Sequence, residues 1–203
     1  MALTNAYTTL NAVKSALRIS DNVDDTLIEY AINTASRMVD GFCQREFYNA
    51  GTATRVYAAT DELWVDIDDM AGTAITVQTD PNADGSWSIT WAATDYQLEP
   101  LNGKLAGQTW PYTRLRAAQN YLFPVENNLA LVRVVNGVWG WPAVPQAIEY
   151  ATIMQSQRLF KRLDSPTGVI GFGDMGAVRV SRQLDPDIAD MVYPYRREGF
   201  GVS

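Results

Sequence analysis

A chain of 203 residues, 47% hydrophobic and 19% charged, is long enough for one large domain or two small ones and too apolar to stay disordered. Histidine is absent and Cys43 is the only cysteine, which excludes Ser–His and Cys–His nucleophiles, a disulfide framework and a Cys-rich zinc site within one chain. The net charge of −7 argues against a general nucleic-acid-binding surface. No apolar run approaches the roughly 18 residues of a membrane span. The opening Met1-Ala2-Leu3-Thr4-Asn5 lacks the charged and apolar regions of a signal peptide, so assembly in a cytoplasm is expected. The charge is uneven: residues 51–140 carry five basic and ten acidic groups, whereas 141–203 carry seven of each.

The first fifty residues read as helices. Thr9 caps a helix with apolar positions Leu10, Val13 and Leu17, ended by Ile19-Ser20-Asp21-Asn22. A second helix begins near Asp24-Asp25-Thr26, where carboxylates suit the positive end of the dipole and Thr26 and Glu29 have capping-box spacing. Its apolar face, Leu27, Ile28, Ala31, Ile32, Ala35, Met38, Val39 and Phe42, is longer than the first helix can cover. It requires a third helix or a neighbouring subunit.

From Thr54 to about Trp141 the pattern changes to the two-residue alternation of half-buried strands. Candidates are Arg55–Tyr57, Leu63–Ile67, Ile75–Val77, Trp87–Trp91 and Leu129–Val135. Asp80-Pro81-Asn82-Ala83-Asp84-Gly85 is a turn, and Asn136-Gly137 suits a tight hairpin turn before Val138–Trp141. Pro142 and Pro145 bracket a return to helix, with Pro145 at the first helical position. Ile148, Thr152, Gln155 and Leu159 form its stripe, Ala151, Met154 and Phe160 broaden it, and Arg158, Lys161 and Arg162 occupy its last turns. Ser165-Pro166-Thr167-Gly168 stops it. Gly168, Gly171, Gly173 and Gly176 make a flexible stretch, followed by a short strand at Ala177–Ser181, a short helix from Asp185-Pro186-Asp187 through Ile188, Met191 and Val192, and the closing Tyr193-Pro194-Tyr195-Arg196-Arg197. A tail of this composition buries little core by itself.

The expected fold class is therefore α+β. Two N-terminal helices and a long helix near 145–163 form a small bundle, an antiparallel β-module is inserted, and the C-terminal tail is extended. The expected divisions are 1–52 with 142–167, then 53–141, then a flexible 168–203.

Several motifs have plainer readings than their chemistry. Gly171-Phe172-Gly173-Asp174-Met175-Gly176 matches a dinucleotide loop but follows a helix and a proline turn, with no βαβ unit around it. Asp80, Asn82, Asp84 and Gly85 match the first half of a calcium loop, yet the twelfth position is Trp91 where a carboxylate belongs. Asp66, Asp68 and Asp69, near Asp61 and Glu62, resemble a carboxylate cluster but fit a solvated strand end. Cys43 near a helix C-terminus is a buried structural residue. The six tryptophans, Trp64, Trp87, Trp91, Trp110, Trp139 and Trp141, fill a small sheet or anchor an interface. No catalytic set, cofactor site or metal site emerges.

Taken together, several segments resemble the head–tail connector (adaptor) proteins of tailed bacteriophages. They are Tyr7–Leu10 through Leu17-Arg18-Ile19, Asp24-Asp25-x-Leu27-Ile28, and Ser36-Arg37-Met38-Val39-Asp40-Gly41-Phe42-Cys43. They continue with Val138-Trp139-Gly140-Trp141-Pro142, Arg158-Leu159-Phe160-Lys161-Arg162 with Asp164-Ser165-Pro166, and Tyr195-Arg196-Arg197. The resemblance implies a non-enzymatic virion protein of the neck, in a ring of typically twelve subunits beneath the portal. Such a ring continues the DNA channel without binding DNA specifically, recruits a stopper or tail-completion protein, and has no membrane role. Arg179, Arg182, Met191, Tyr193, Tyr195, Arg196 and Arg197 are the candidate portal contacts; Ile28, Ile32, Met38 and Phe160 are the candidate subunit contacts. The alternatives are another neck or tail-completion subunit or, in a different class, a calcium-dependent carbohydrate-binding module.

Overall fold

The computed structural model describes residues 2–105, 107–163, 169–170, 178–179 and 184–197. The chain divides into two compact units: 1–47 with 144–203, and 48–143.

The first unit is helical. Helix α1 (Leu10–Leu17) begins where the Thr9 hydroxyl accepts a hydrogen bond from the Ala12 amide at 3.2 Å, and ends at Arg18 in the left-handed region. Helix α2 (Asp25–Cys43) and helix α3 (Gln146–Lys161) follow, with Pro145 as the N-cap of α3 rather than its first residue. The long apolar face of α2 is covered from within: Val13, Ile28 and Ile32 form a fully buried cluster, packed by Leu10, Leu17, Ile153 and Phe160. A third helix thus covers most of that face, while Leu27 at its start stays exposed. Three buried hydroxyls of the unit are bonded within their own helices; Thr152 and Ser156 donate to the Ile148 and Thr152 carbonyls, and Ser36 to that of Ile32. Helix α4 (Pro186–Val192) and a single 3₁₀ turn (Tyr193–Tyr195) close the unit.

The second unit is a nearly closed antiparallel sheet. Its strands are β1 (Asn49–Tyr57), β2 (Trp64–Met70), β3 (Thr76–Thr79), β4 (Ile89–Trp91) and β5 (Tyr96–Glu99), then β8 (Tyr112–Ala117) and β9 (Val132–Gly140). Between β5 and β8 lies the small β6–β7 ribbon (Lys104–Leu105 with Gln108–Thr109). The strand order is β4-β3-β9-β2-β8-β5, with β1 along the other edge of β9. Alternation fixes the faces. In β2, Val65 and Ile67 point inward while Trp64, Asp66 and Asp68 point outward. The core holds Val65, Ile67, Met70, Val77, Trp91, Leu115, Phe123, Val132, Val134 and Trp139.

The expected hairpin at Asn136-Gly137 does not form. Strand β9 runs through it, and Val135 with Asn136 together oppose the single residue Thr54, since Gly137 pairs with Ala53 and Val134 with Arg55. Asn136, at a φ of 61°, is the extra residue of a β-bulge, a second use of the same Asn conformational tolerance. Gly137 is required here, because a Cβ would lie 2.6 Å from the Trp139 ring. Strands β10 (Val169–Ile170) and β11 (Val178–Arg179) pair antiparallel.

Candidate interaction surfaces

The C-terminal elements are not a loose tail over residues 184–197. Ile188 and Val192 of α4 are fully buried and Leu184 nearly so. Two hydrogen bonds and an ion pair hold the segment to its unit. The Cys43 thiol donates to the Val192 carbonyl at 3.6 Å, the Arg197 amide donates to the Cys43 carbonyl at 2.9 Å, and Arg158 pairs with Asp185. Tyr195 meets Phe47 edge-to-face at 6.0 Å, and the Arg196 guanidinium lies 5.9 Å over the Phe42 ring. Burial pushes the Cys43 thiol up to about 12, so it is a packed thiol and no nucleophile. This corrects the expectation that the whole of 168–203 is flexible and packs little core. Apolar residues four apart on a seven-residue helix are enough to dock it.

Of the candidate portal contacts, Tyr193 and Arg196 are exposed, while Met191, Tyr195 and Arg197 are half-buried. Arg179 is described only as a strand residue paired with Val169. Arg182 lies outside the described residues, as does the glycine motif 171–176. Among the candidate subunit contacts, Ile28 and Ile32 have no surface left for a neighbour, because α1 and α3 cover them. Met38 is half-buried and accepts from the Gln155 amide, and Phe160 packs partly on the Val13 cluster. The apolar residues exposed at this end of α2 are instead Val23, Leu27 and Tyr30.

Beside the α2 C-terminus, the Tyr7 hydroxyl donates to Asp40 and accepts from the Phe47 amide at 2.8 Å. Arg37 reaches Asp40 at 3.0 Å. Burial raises the Asp40 carboxyl to about 6, against the opposing pull of the Tyr7 hydrogen bond and the Arg37 charge. Burial likewise raises the Tyr7 phenol.

On the outer sheet face, arginines are tied down rather than offered. Arg114 bonds Asp66 at 2.7 Å, Arg116 bonds Glu99 at 2.6 Å, and both lie over Trp64 at 5.5 and 5.7 Å. Arg55 bonds Asp68 and lies 4.7 Å over Trp139; Arg133 bonds Gln78 and lies 4.6 Å over Trp87. The module's acidic excess is thus not offset by free guanidinium groups on this face. The carboxylate cluster disperses in the same way. Asp66 and Asp68 face the arginines, while Asp69 accepts from the Trp141 indole at 2.9 Å. In the Asp80–Gly85 turn, the Asp80 carboxylate accepts from the Asp84 and Gly85 amides at 3.4 and 2.6 Å. Among the described residues no cluster suits a metal ion, and no helix is long and apolar enough to cross a membrane.

A family model of phage gp6-like head-tail connector proteins matches residues 7–71. The resemblance carried by Tyr7–Leu10 and Ser36–Cys43 therefore holds over that segment, which runs through α1, α2, β1 and β2. No curated protein matches. Among solved structures, a chain of "Neck of empty GTA particle computed with C6 symmetry" aligns with a TM-score of 0.55 at 13% identity, covering 99% of this chain and 96% of that one. A chain of "Virion of native gene transfer agent (GTA) particle" gives 0.53 at 13% identity, with the same coverage. One of "Neck of native GTA particle computed with C12 symmetry" gives 0.51 at 15%, again covering 99% and 96%. At these identities the likeness is one of fold, and it spans both units.

Proposed function

We propose, from the head–tail connector signature of residues 7–71, that this chain is a structural, non-enzymatic subunit in the neck of a tailed phage or phage-like particle. The whole-length likeness to neck chains supports the reading, and so does the absence of a catalytic set. In its finer form the proposal is an adaptor. Copies of the chain form a ring of about twelve beneath the portal, continue the DNA channel, and receive a stopper or tail-completion protein on the far side. The C12 symmetry of one structurally similar neck supports the ring number. An acidic module with its arginines engaged suits a passage through which DNA slides without sticking.

The portal-docking residues remain Arg179, Arg182, Met191, Tyr193, Tyr195, Arg196 and Arg197. Their mechanism changes in part. Because residues 184–197 are already packed, the exposed Tyr193 and Arg196 act as a preformed contact and incur little ordering cost on docking. Avidity around a ring then multiplies a weak contact. Among subunit contacts, Met38 and Phe160 keep that role in the proposal. The Asp80 carboxylate accepting from the Asp84 and Gly85 amides favours the plain-turn reading over the calcium-dependent carbohydrate alternative.

The test is attachment to portal-bearing capsids, viewed by electron microscopy. Wild-type protein is expected to add a ring to the portal, and the Tyr193→Ala, Arg196→Glu variant to bind on the order of tenfold more weakly without a change in fold. Absence of any ring with wild-type protein would remove the adaptor reading.

A further inference from the structure

The loop between β8 and β9 is long and apolar on its outside. Tyr121, Leu122, Val125 and Leu129 are exposed on it, and the exposed Leu63 lies alongside. Backbone bonds set that neighbourhood: Ala117 donates to the Leu63 carbonyl at 2.7 Å and Phe123 to the Glu62 carbonyl at 2.8 Å. Long loops without secondary structure in compact units are uncommon, and those that persist are often functional. This one is held in shape. Phe123 is buried and stacks on Trp91 at 4.5 Å, Tyr121 leans on the same ring at 5.0 Å, and the Trp91 indole donates to Thr79 at 3.0 Å. The Leu129 amide closes a turn onto the Glu126 carbonyl at 2.7 Å. An anchored loop that keeps Leu122 at 53% and Leu129 at 44% exposure presents apolar surface at little ordering cost.

The loop's own charge is acidic, and the arginines that flank it in sequence, Arg116 and Arg133, are engaged by Glu99 and Gln78. Glu62 and Glu126 are exposed and Asp61 is half-exposed, while neither 56–63 nor 117–132 contains a lysine or arginine. Such a rim repels phosphate, so DNA and anionic lipid are poor occupants. It complements an apolar surface bordered by lysine and arginine.

We propose that Leu63 and the 118–131 loop form a protein-docking surface whose occupant is an apolar patch rimmed by cations on the tail-side partner. This rests on the neck reading above and assigns to it a second face, carried by the β-module. The probe is isolated tails of the same particle, mixed with portal-bearing capsids that have been loaded with this protein; joined particles are counted by electron microscopy. Leu122→Ser with Leu129→Ser should load onto capsids normally and lower joining on the order of tenfold. Glu126→Lys, an exposed change that leaves the packing untouched, should slow joining several-fold and flatten its salt dependence. Normal joining by both variants at normal loading overturns the assignment. So does reduced loading of correctly folded variants, which would make the loop a contact between copies, and so does altered DNA passage with unchanged joining. If wild-type protein fails to load at all, the neck reading fails first, and the two failures are told apart.

Discussion

The helical unit and the β-module reach a closed core by opposite routes. The module is built from one continuous stretch, 48–143, and its core follows from alternation along each strand. The helical unit gathers its core from three distant pieces: α1 with α2, then α3, then α4 some 149 residues away from its Cys43 contact. The first closes within a single segment of chain, and the second must bring together segments from both sides of it. Damage should therefore spread differently, and the optical signals separate cleanly, because all six tryptophans lie in the module. Tryptophan fluorescence reports the sheet, and circular dichroism at 222 nm reports mainly the helices.

The strongest test of that contrast is Trp139→Ala. The indole is buried, donates to the Ala53 carbonyl at 2.8 Å and supports Arg55 from below. Its loss should cost about 3–5 kcal/mol, read as an early transition in tryptophan fluorescence during urea unfolding. Equal, simultaneous loss of the helical signal would break the comparison. Ile188→Ala comes next, at about 2–5 kcal/mol, with the helical signal falling first. The same reasoning alters the meaning of a truncation: deleting Asp185–Ser203 removes Ile188 and Val192 from a core as well as removing exposed groups.

The smallest effect is a pH dependence. The Asp40 carboxyl sits at about 6 in the folded protein, above its ordinary value of 3.8. Between those values the folded state holds a proton the unfolded chain has released. This group's contribution to stability therefore falls as pH rises from about 4 to about 6, and is level above. In Asp40→Asn that slope is absent. The difference in urea midpoint between wild type and variant, plotted against pH, should fall through that window in the helical signal; a flat or rising difference would contradict the burial assigned to Asp40.

How much of this was legible depends on the range of the interaction. Thr9 as a cap, the period of α2, the stripe Ile148–Thr152–Gln155 and the start of α4 at Pro186 are encoded within a few residues, and all four were readable. Strands β5 and β8 escaped notice because each turns little apolar surface inward. In β8, Leu115 alone is fully buried between Arg114 and Arg116. Asn136-Gly137 misled because the local chemistry of a hairpin turn and of a bulge is the same, and the partner strand β1 decides between them. For the interaction surfaces, residue type was informative and exposure was not. Tyr193 and Arg196 stand out in both sequence and structure, whereas Ile28 and Ile32 are claimed by α1 and α3. The 118–131 loop carried a signal that was available, a run of apolar residues with no cation, but its end from Leu129 onward read as strand.

Asn49 pairs with Gly140, so the polypeptide enters and leaves the sheet through adjacent, antiparallel residues. Where a Cβ at Gly140 would strike the Tyr48 carbonyl, the two backbones pass too closely for any side chain. To the rest of the chain the insertion is thus a cassette whose two ends meet. Length added between those ends leaves the spacing of the flanking helical segments unchanged.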